Sequence, residues 1–231
     1  MKLFYSETLN PRKACAVAKY LGAPIEYIRV DLAKGENRTP AFLAINPNGK
    51  VPVLQDGATT LWEANAIMCH LARVTDSDLW PTGERQVEVM RWLSWNADHF
   101  TRFAGTLYFQ NLIKPQLGFG SPDADVVREA EKWVRQHGSV LNEHLRGRTY
   151  LVGDTLSIAD FAVAATLPYA KSARIPVDEF TEIQRWHAAL NELPAWRDPF
   201  PSGPILTFAS PFQQALPANV RIKGPLANIN S

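Results

Sequence analysis

The sequence predicts two packed parts, a mixed α/β part followed by an all-helical one, and three observations predict it. Strand-like runs and amphipathic helices alternate as β-α-β-α-β-β-α up to about Val74. Strand signals cease after Trp80-Pro81-Thr82-Gly83, and apolar residues then recur at helical spacing. The chain of 231 residues, 46% hydrophobic and 20% charged, can bury a core and has room for two small domains. The reading is an α/β domain over 1–78, an all-helical domain over 84–198 and a proline-rich tail over 199–231.

Lys2 to Tyr5 forms the first strand. Asn10-Pro11 opens a helix, with Asn10 as cap and Pro11 at its first position. Ala14, Val17, Ala18 and Leu21 make its buried stripe, and Gly22 stops it. Ile25 to Val30 is a second strand, and a short helical turn falls between Lys34 and Ala44. Val51–Gln55 and Thr59–Trp62 flank Asp56-Gly57, a hairpin signal. Glu63 then begins a helix to Val74, with Ile67, Leu71 and Val74 inward.

In the second part, Glu84 to Ile113 reads as one long helix. Ser121-Pro122-Asp123 caps the next, which buries Val127, Ala130, Val134, Leu141 and Leu145 before Gly147. Ser157-Ile158-Ala159-Asp160 has capping-box spacing and opens an apolar helix to Ala170. A last helix runs from Glu179 to Asn191. Six prolines from Pro199 onward mark an extended tail.

With 24 basic and 23 acidic residues the net charge is +1, which gives no reason to expect a nucleic-acid or anionic-membrane partner. No apolar run reaches the ~18–20 residues of a membrane span, and the N-terminus lacks a secretory signal. Cys15 and Cys69 form neither a Cys-x-x-Cys pair nor a metal-ligand set. A reducing cytoplasm, two free thiols and no metal are the expectation.

Two motifs carry chemistry. In Asn46-Pro47-Asn48-Gly49-Lys50-Val51-Pro52-Val53-Leu54 a proline stands at the mouth of a strand, where its missing N–H is tolerated. A cis Val51–Pro52 bond would turn the Val51 N–H and C=O outward, where a peptide backbone can pair with them; a plain loop before a hairpin is the alternative. In Trp62-Glu63-Ala64-Asn65-Ala66-Ile67 a strand meets a helix mouth. The unpaired N–H groups there suit a carboxylate, and Glu63 suits an ammonium. Alone, Glu63 reads equally as a complement to the helix dipole.

Together, in order and spacing, these motifs resemble the glutathione transferase family. Asn46 to Leu54 matches its N-P-x-G-x-V-P-x-L pattern, Glu63 to Ile67 matches E-S-x-A-I except at Ala64, and Ser157-x-x-Asp160 resembles its helical-domain folding motif. The resemblance covers about residues 1–198. It implies a thioredoxin-like first domain binding glutathione as co-substrate through Val51, cis Pro52, Glu63 and position 64. It implies a helical domain shaping a hydrophobic acceptor site, and a homodimer. Ala64 lacks the usual hydroxyl, so weaker binding is expected.

Family members activate the thiol with a Tyr, Ser or Cys near the first helix. The loop Tyr5-Ser6-Glu7-Thr8-Leu9-Asn10 holds no cysteine, and Cys15 lies too far into the helix. Thr8-x-Asn10-x-x-Lys13 resembles the Thr-x-Asn pattern of nu-class and fungal-type transferases, which makes Thr8 and Asn10 the candidates, with Ser6 next. Tyr5 is expected in the core. Lys50 and Arg38 are candidates for the glycyl carboxylate. Asp98 is one for the amine of a neighbouring subunit's glutathione. The activity implied is thiolate attack on a hydrophobic electrophile; disulfide reduction, and a non-enzymatic ligand-binding module, are the alternatives.

Overall fold

The computed structural model describes residues 1–202 and 206–207. The first part runs β1 (Lys2–Tyr5), α1 (Leu9–Tyr20), β2 (Glu26–Arg29), α2 (Pro40–Ile45), β3 (Val53–Asp56), β4 (Thr59–Trp62) and α3 (Ala64–Val74). Its sheet has the order β4-β3-β1-β2-β5, where β5 is the short Leu206–Thr207 beside β2. β1 runs parallel to β2 and antiparallel to β3, so the sheet is mixed.

Alternation along the strands divides the core. Leu3, Tyr5 and Leu54 face α1 and α3, packing on Val17, Ile67 and Leu71. Phe4, Ile28, Val30 and Val53 turn the other way, onto Phe42 of α2. Helices thus cover both faces. Val74 departs from the expectation: as the last residue of α3 it lies beyond the packed stripe and is exposed. Leu21 and Val127, expected inside, are half-buried for the same reason, each sitting near a helix end.

The predicted long helix is continuous from Gly83 to Gln116, but two π-helical turns interrupt its α geometry. α4 (Gly83–Trp95) passes through the turn Asn96–Phe100 into α5 (Thr101–Tyr108), then through Phe109–Ile113 into α6 (Lys114–Gln116). At the first turn, buried Asn96 donates from Nδ2 to the Ala162 carbonyl at 3.1 Å and accepts from Thr101 Oγ1 at 2.7 Å. α7 (Ala124–His144), α8 (Ile158–Val163), α9 (Thr181–Asn191) and α10 (Pro194–Arg197) complete the helical part. Asp123, not Ser121, caps α7: its carboxylate accepts from the N–H groups of Asp125 and Val126. The capping box at Ser157 and Asp160 is present.

Residues beyond Asn191 also tie the two parts together. Arg12 donates to the Trp196 carbonyl at 2.6 Å, Lys19 to that of Asp198, and Phe200 stacks on Tyr5 at 6.0 Å. The tail therefore starts as packed structure; most of it falls outside the described residues. Among those described, no helix is long and apolar enough to cross a membrane.

Candidate functional site

Strand register gathers the candidate residues at one end of the sheet. Phe4 and Trp62 both lie opposite Val53. Ser6 leaving β1, Val51-Pro52 entering β3 and Glu63-Ala64 leaving β4 therefore meet at that end. The Val51–Pro52 bond is cis. No hydrogen bond among the described residues uses the Val51 N–H or C=O.

The loop before Val51 is built around Asn46. Its buried amide donates to the Lys50 carbonyl at 2.6 Å, and its Oδ1 accepts from the Asn48 N–H at 3.1 Å. Asn37 holds the Gly49 carbonyl at 2.7 Å. Gly49 has φ +61°, and a Cβ there would lie 2.9 Å from Arg38 Nη1 and 3.0 Å from the Asn37 carbonyl oxygen. Only glycine combines that backbone with that approach. Arg38 and Lys50 are both exposed and border this loop.

Glu63 adopts φ 72°, ψ 117°, strained for a residue with a side chain, and leads directly into α3. Its exposed carboxylate and the N–H groups of the first turn of α3 share the junction.

At the other helix mouth the expected cap is displaced. α1 begins at Leu9, with Thr8 in the cap position and no side-chain capping bond. Pro11 sits inside the first turn, where four N–H groups lack intrahelical partners anyway, so the helix starts ahead of it. Asn10 is thus a first-turn residue with an exposed side chain, and not the cap. Ser6 is buried and Thr8 half-buried. Tyr5 is core, stacked on Phe200 and edge-on to Tyr27. Cys15 is fully buried and its thiol is pushed well above the usual range by desolvation, which suits packing and not chemistry.

The helical part faces this mouth. Leu9 packs toward Gly105 of α5, and Tyr108 meets Tyr169 edge-on at 4.9 Å. Arg12 lies over the Tyr169 ring at 5.9 Å. Asp98 is exposed on the π-turn and lines a groove of about 500 Å³ with Asn65, Ala66, Cys69, Trp80 and Met90.

One residue beside the site was not singled out by sequence reasoning. Lys13, in the turn after Asn10, is only 5% exposed. Its place in Thr8-x-Asn10-x-x-Lys13 was the available signal, but a lysine beside a buried stripe ordinarily reads as solvated. Among the described residues no group of side chains can hold a metal.

Comparison with known proteins fits this geometry. The family model for the glutathione S-transferase N-terminal domain matches residues 2–73, and that for the C-terminal domain matches 100–194. The chain is 35% identical over 202 residues to glutathione S-transferase 3 of Zea mays, covering 84% of this chain and 90% of that protein. It is 33% identical to a probable glutathione S-transferase, GSTF2, of Oryza sativa subsp. japonica, covering 84% and 93%. Among solved structures, glutathione S-transferase I from maize with an atrazine glutathione conjugate superposes with a TM-score of 0.77 at 28% identity, over 86% of this chain and 95% of that one. The chain belongs to the glutathione S-transferase family.

Proposed function

We propose that this chain binds glutathione and uses its thiolate to attack a hydrophobic electrophile. The observation that carries the reading is the unspent Val51 N–H and C=O beside cis Pro52, at the sheet end that also holds Glu63 and both helix mouths. A cysteinyl backbone pairs with Val51 as an added strand does. The γ-glutamyl carboxylate sits on the N–H groups of α3 and its ammonium against Glu63. Arg38 and Lys50 flank the glycyl carboxylate. The maize relative was solved with a glutathione conjugate, which supports the same ligand class here.

The sulfur then lies at the α1 mouth. Thr8 Oγ1 and the Asn10 amide, both free of capping bonds, are the donors. A free thiol titrates near ~8.5, and each unit of lowering needs ~1.4 kcal/mol of preferential thiolate stabilisation. A helix N-terminus with one or two donors supplies one or two such units. The thiol proton passes to solvent, the sulfur forms a bond to the electrophilic carbon, and the leaving group departs with its electron pair. Leu9, Tyr108 and Tyr169 form the apolar side that receives the electrophile. A homodimer with the Asp98 groove at its interface belongs to the same reading.

Disulfide reduction by glutathione is a second reading, favoured by the Thr8 and Asn10 side chains being unspent. Turnover of a chlorinated aromatic against that of a mixed disulfide separates the two. Calorimetry with glutathione tests both: no binding at millimolar ligand overturns them. Thiolate absorbance against pH should shift upward in Asn10→Ala or Thr8→Ala; a shift only in Ser6→Ala would move the activating role to Ser6.

A further inference from the structure

A second cavity, of about 500 Å³, lies between α1, the 3-10 turn Ala164–Tyr169, α9 and α10. Arg12 forms part of its wall, although that residue is only 7% exposed. Its Nη2 donates to the Trp196 carbonyl at 2.6 Å, and its guanidinium carbon lies 4.9 Å from the centre of the Trp196 ring. Among the described residues its Nε is enclosed with no acceptor. The acid whose charge reaches it, Asp198, pairs instead with Lys19 at 3.6 Å. An enclosed cation left short of acceptors is unfavourable until something supplies them.

His187 lines the same cavity, and its Nε2 is also enclosed without a partner among the described residues. Burial, with the Arg12 charge added to it, pushes the ring down to about 4, so it is neutral at pH 7. Lys171 and Arg197 add two exposed cations to the lining, against one carboxylate, that of Asp178. With Arg12 the cavity therefore holds three cations to one anion. Leu167, Val177 and Ile183, all buried, give it an apolar wall. None of Thr8, Leu9, Asn10 and Tyr108 lines it, and Tyr169 is the residue it shares with the electrophile's side.

We propose that this cavity is a second binding site, for a small organic carboxylate with an apolar body. The carboxylate accepts from Arg12 and from the His187 ring, and the body lies against Leu167, Val177 and Ile183. Arg12 suits that head group because a guanidinium presents five N–H donors and can only donate. An inorganic anion would leave the apolar wall unused, and a neutral apolar molecule would leave the donors unmet. The site does not depend on the glutathione reading above.

Calorimetry on the full chain with 2-naphthoate, and with 2-naphthamide as the uncharged form of the same body, tests the site. The acid should bind about 10- to 100-fold more tightly than the amide, the range of a charge-assisted hydrogen bond. Arg12→Met should bind the two alike. Because Arg12 also holds the Trp196 carbonyl, Lys171→Glu serves as a second variant, at an exposed position. It should weaken the acid several-fold and leave the amide unchanged. Saturating S-hexylglutathione should leave naphthoate binding in place. The proposal is overturned if acid and amide bind alike, if neither binds at millimolar concentration, or if Lys171→Glu binds the acid as wild type does. Displacement of naphthoate by S-hexylglutathione also overturns it, since the acid then lies on the electrophile's side. If S-hexylglutathione itself fails to bind, the glutathione reading falls, and the acid-to-amide ratio and the two variants still decide this proposal.

Discussion

The indole Nε1–H of Trp186 donates to the Asp160 carboxylate at 3.1 Å, joining α9 to the first turn of α8 inside the helical core. The same carboxylate accepts from the N–H of Leu151 and from the N–H and Oγ–H of Ser157, at 2.9, 2.9 and 3.1 Å. One side chain thus fixes a helix start, the loop before it and a neighbouring helix.

Asp160→Ala leaves these donors buried without an acceptor. A destabilisation of about 3–5 kcal/mol is expected, read by urea denaturation. Trp186→Phe removes a single donor and should cost clearly less.

Gly138→Ala reverses an ordinary sign. In a helix interior alanine is normally better than glycine by about 1 kcal/mol. Here a Cβ would lie 2.5 Å from Cε2 of Phe180, whose ring is packed in the core. Overpacking of about 1–3 kcal/mol outweighs the propensity gain. The melting temperature should fall in Gly138→Ala and recover in Gly138→Ala with Phe180→Leu.

Gly49→Ala should affect the ligand more than the fold. The left-handed backbone at φ +61° costs a residue with a side chain about 1–2 kcal/mol. The new methyl group also presses on Arg38 and the Asn37 carbonyl. Glutathione affinity should drop several-fold by calorimetry, since the loop carrying Lys50 and Val51 must shift.

Lys13 gives stability a specific pH dependence. Its folded value of about 8 lies below its ordinary 10.5, so between these pH values the unfolded chain binds more protons. Stability from this group therefore rises as pH rises through that window, by about 3 kcal/mol at most. Denaturation of wild type and Lys13→Met at pH 7 and pH 10 should show their difference shrinking at the higher pH.

The strands, the two-part division and the motif loops were legible because each depends on local chemistry. Asp56-Gly57 is a hairpin turn by its backbone demands, and alternation from Leu3 to Tyr5 assigns each side chain a face. What stayed hidden depended on distant segments. Asn10 looked like a cap because it precedes Pro11, but proline is tolerated throughout a first turn and the helix began at Leu9. The π-turn at Asn96 depends on the Ala162 carbonyl, far away in the chain. The burial of Lys13 required α3 to be laid against α1, which helical periodicity does not report.

The bond from Arg12 to the Trp196 carbonyl spans 184 positions of sequence. Phe200 covers Tyr5 across a similar distance. During synthesis the sheet-bearing half emerges first, yet its opening helix and strand wait for partners still untranslated. Until residues near 200 leave the ribosome, this half displays bare aromatic and apolar surface, the period in which it most needs shielding from other nascent chains.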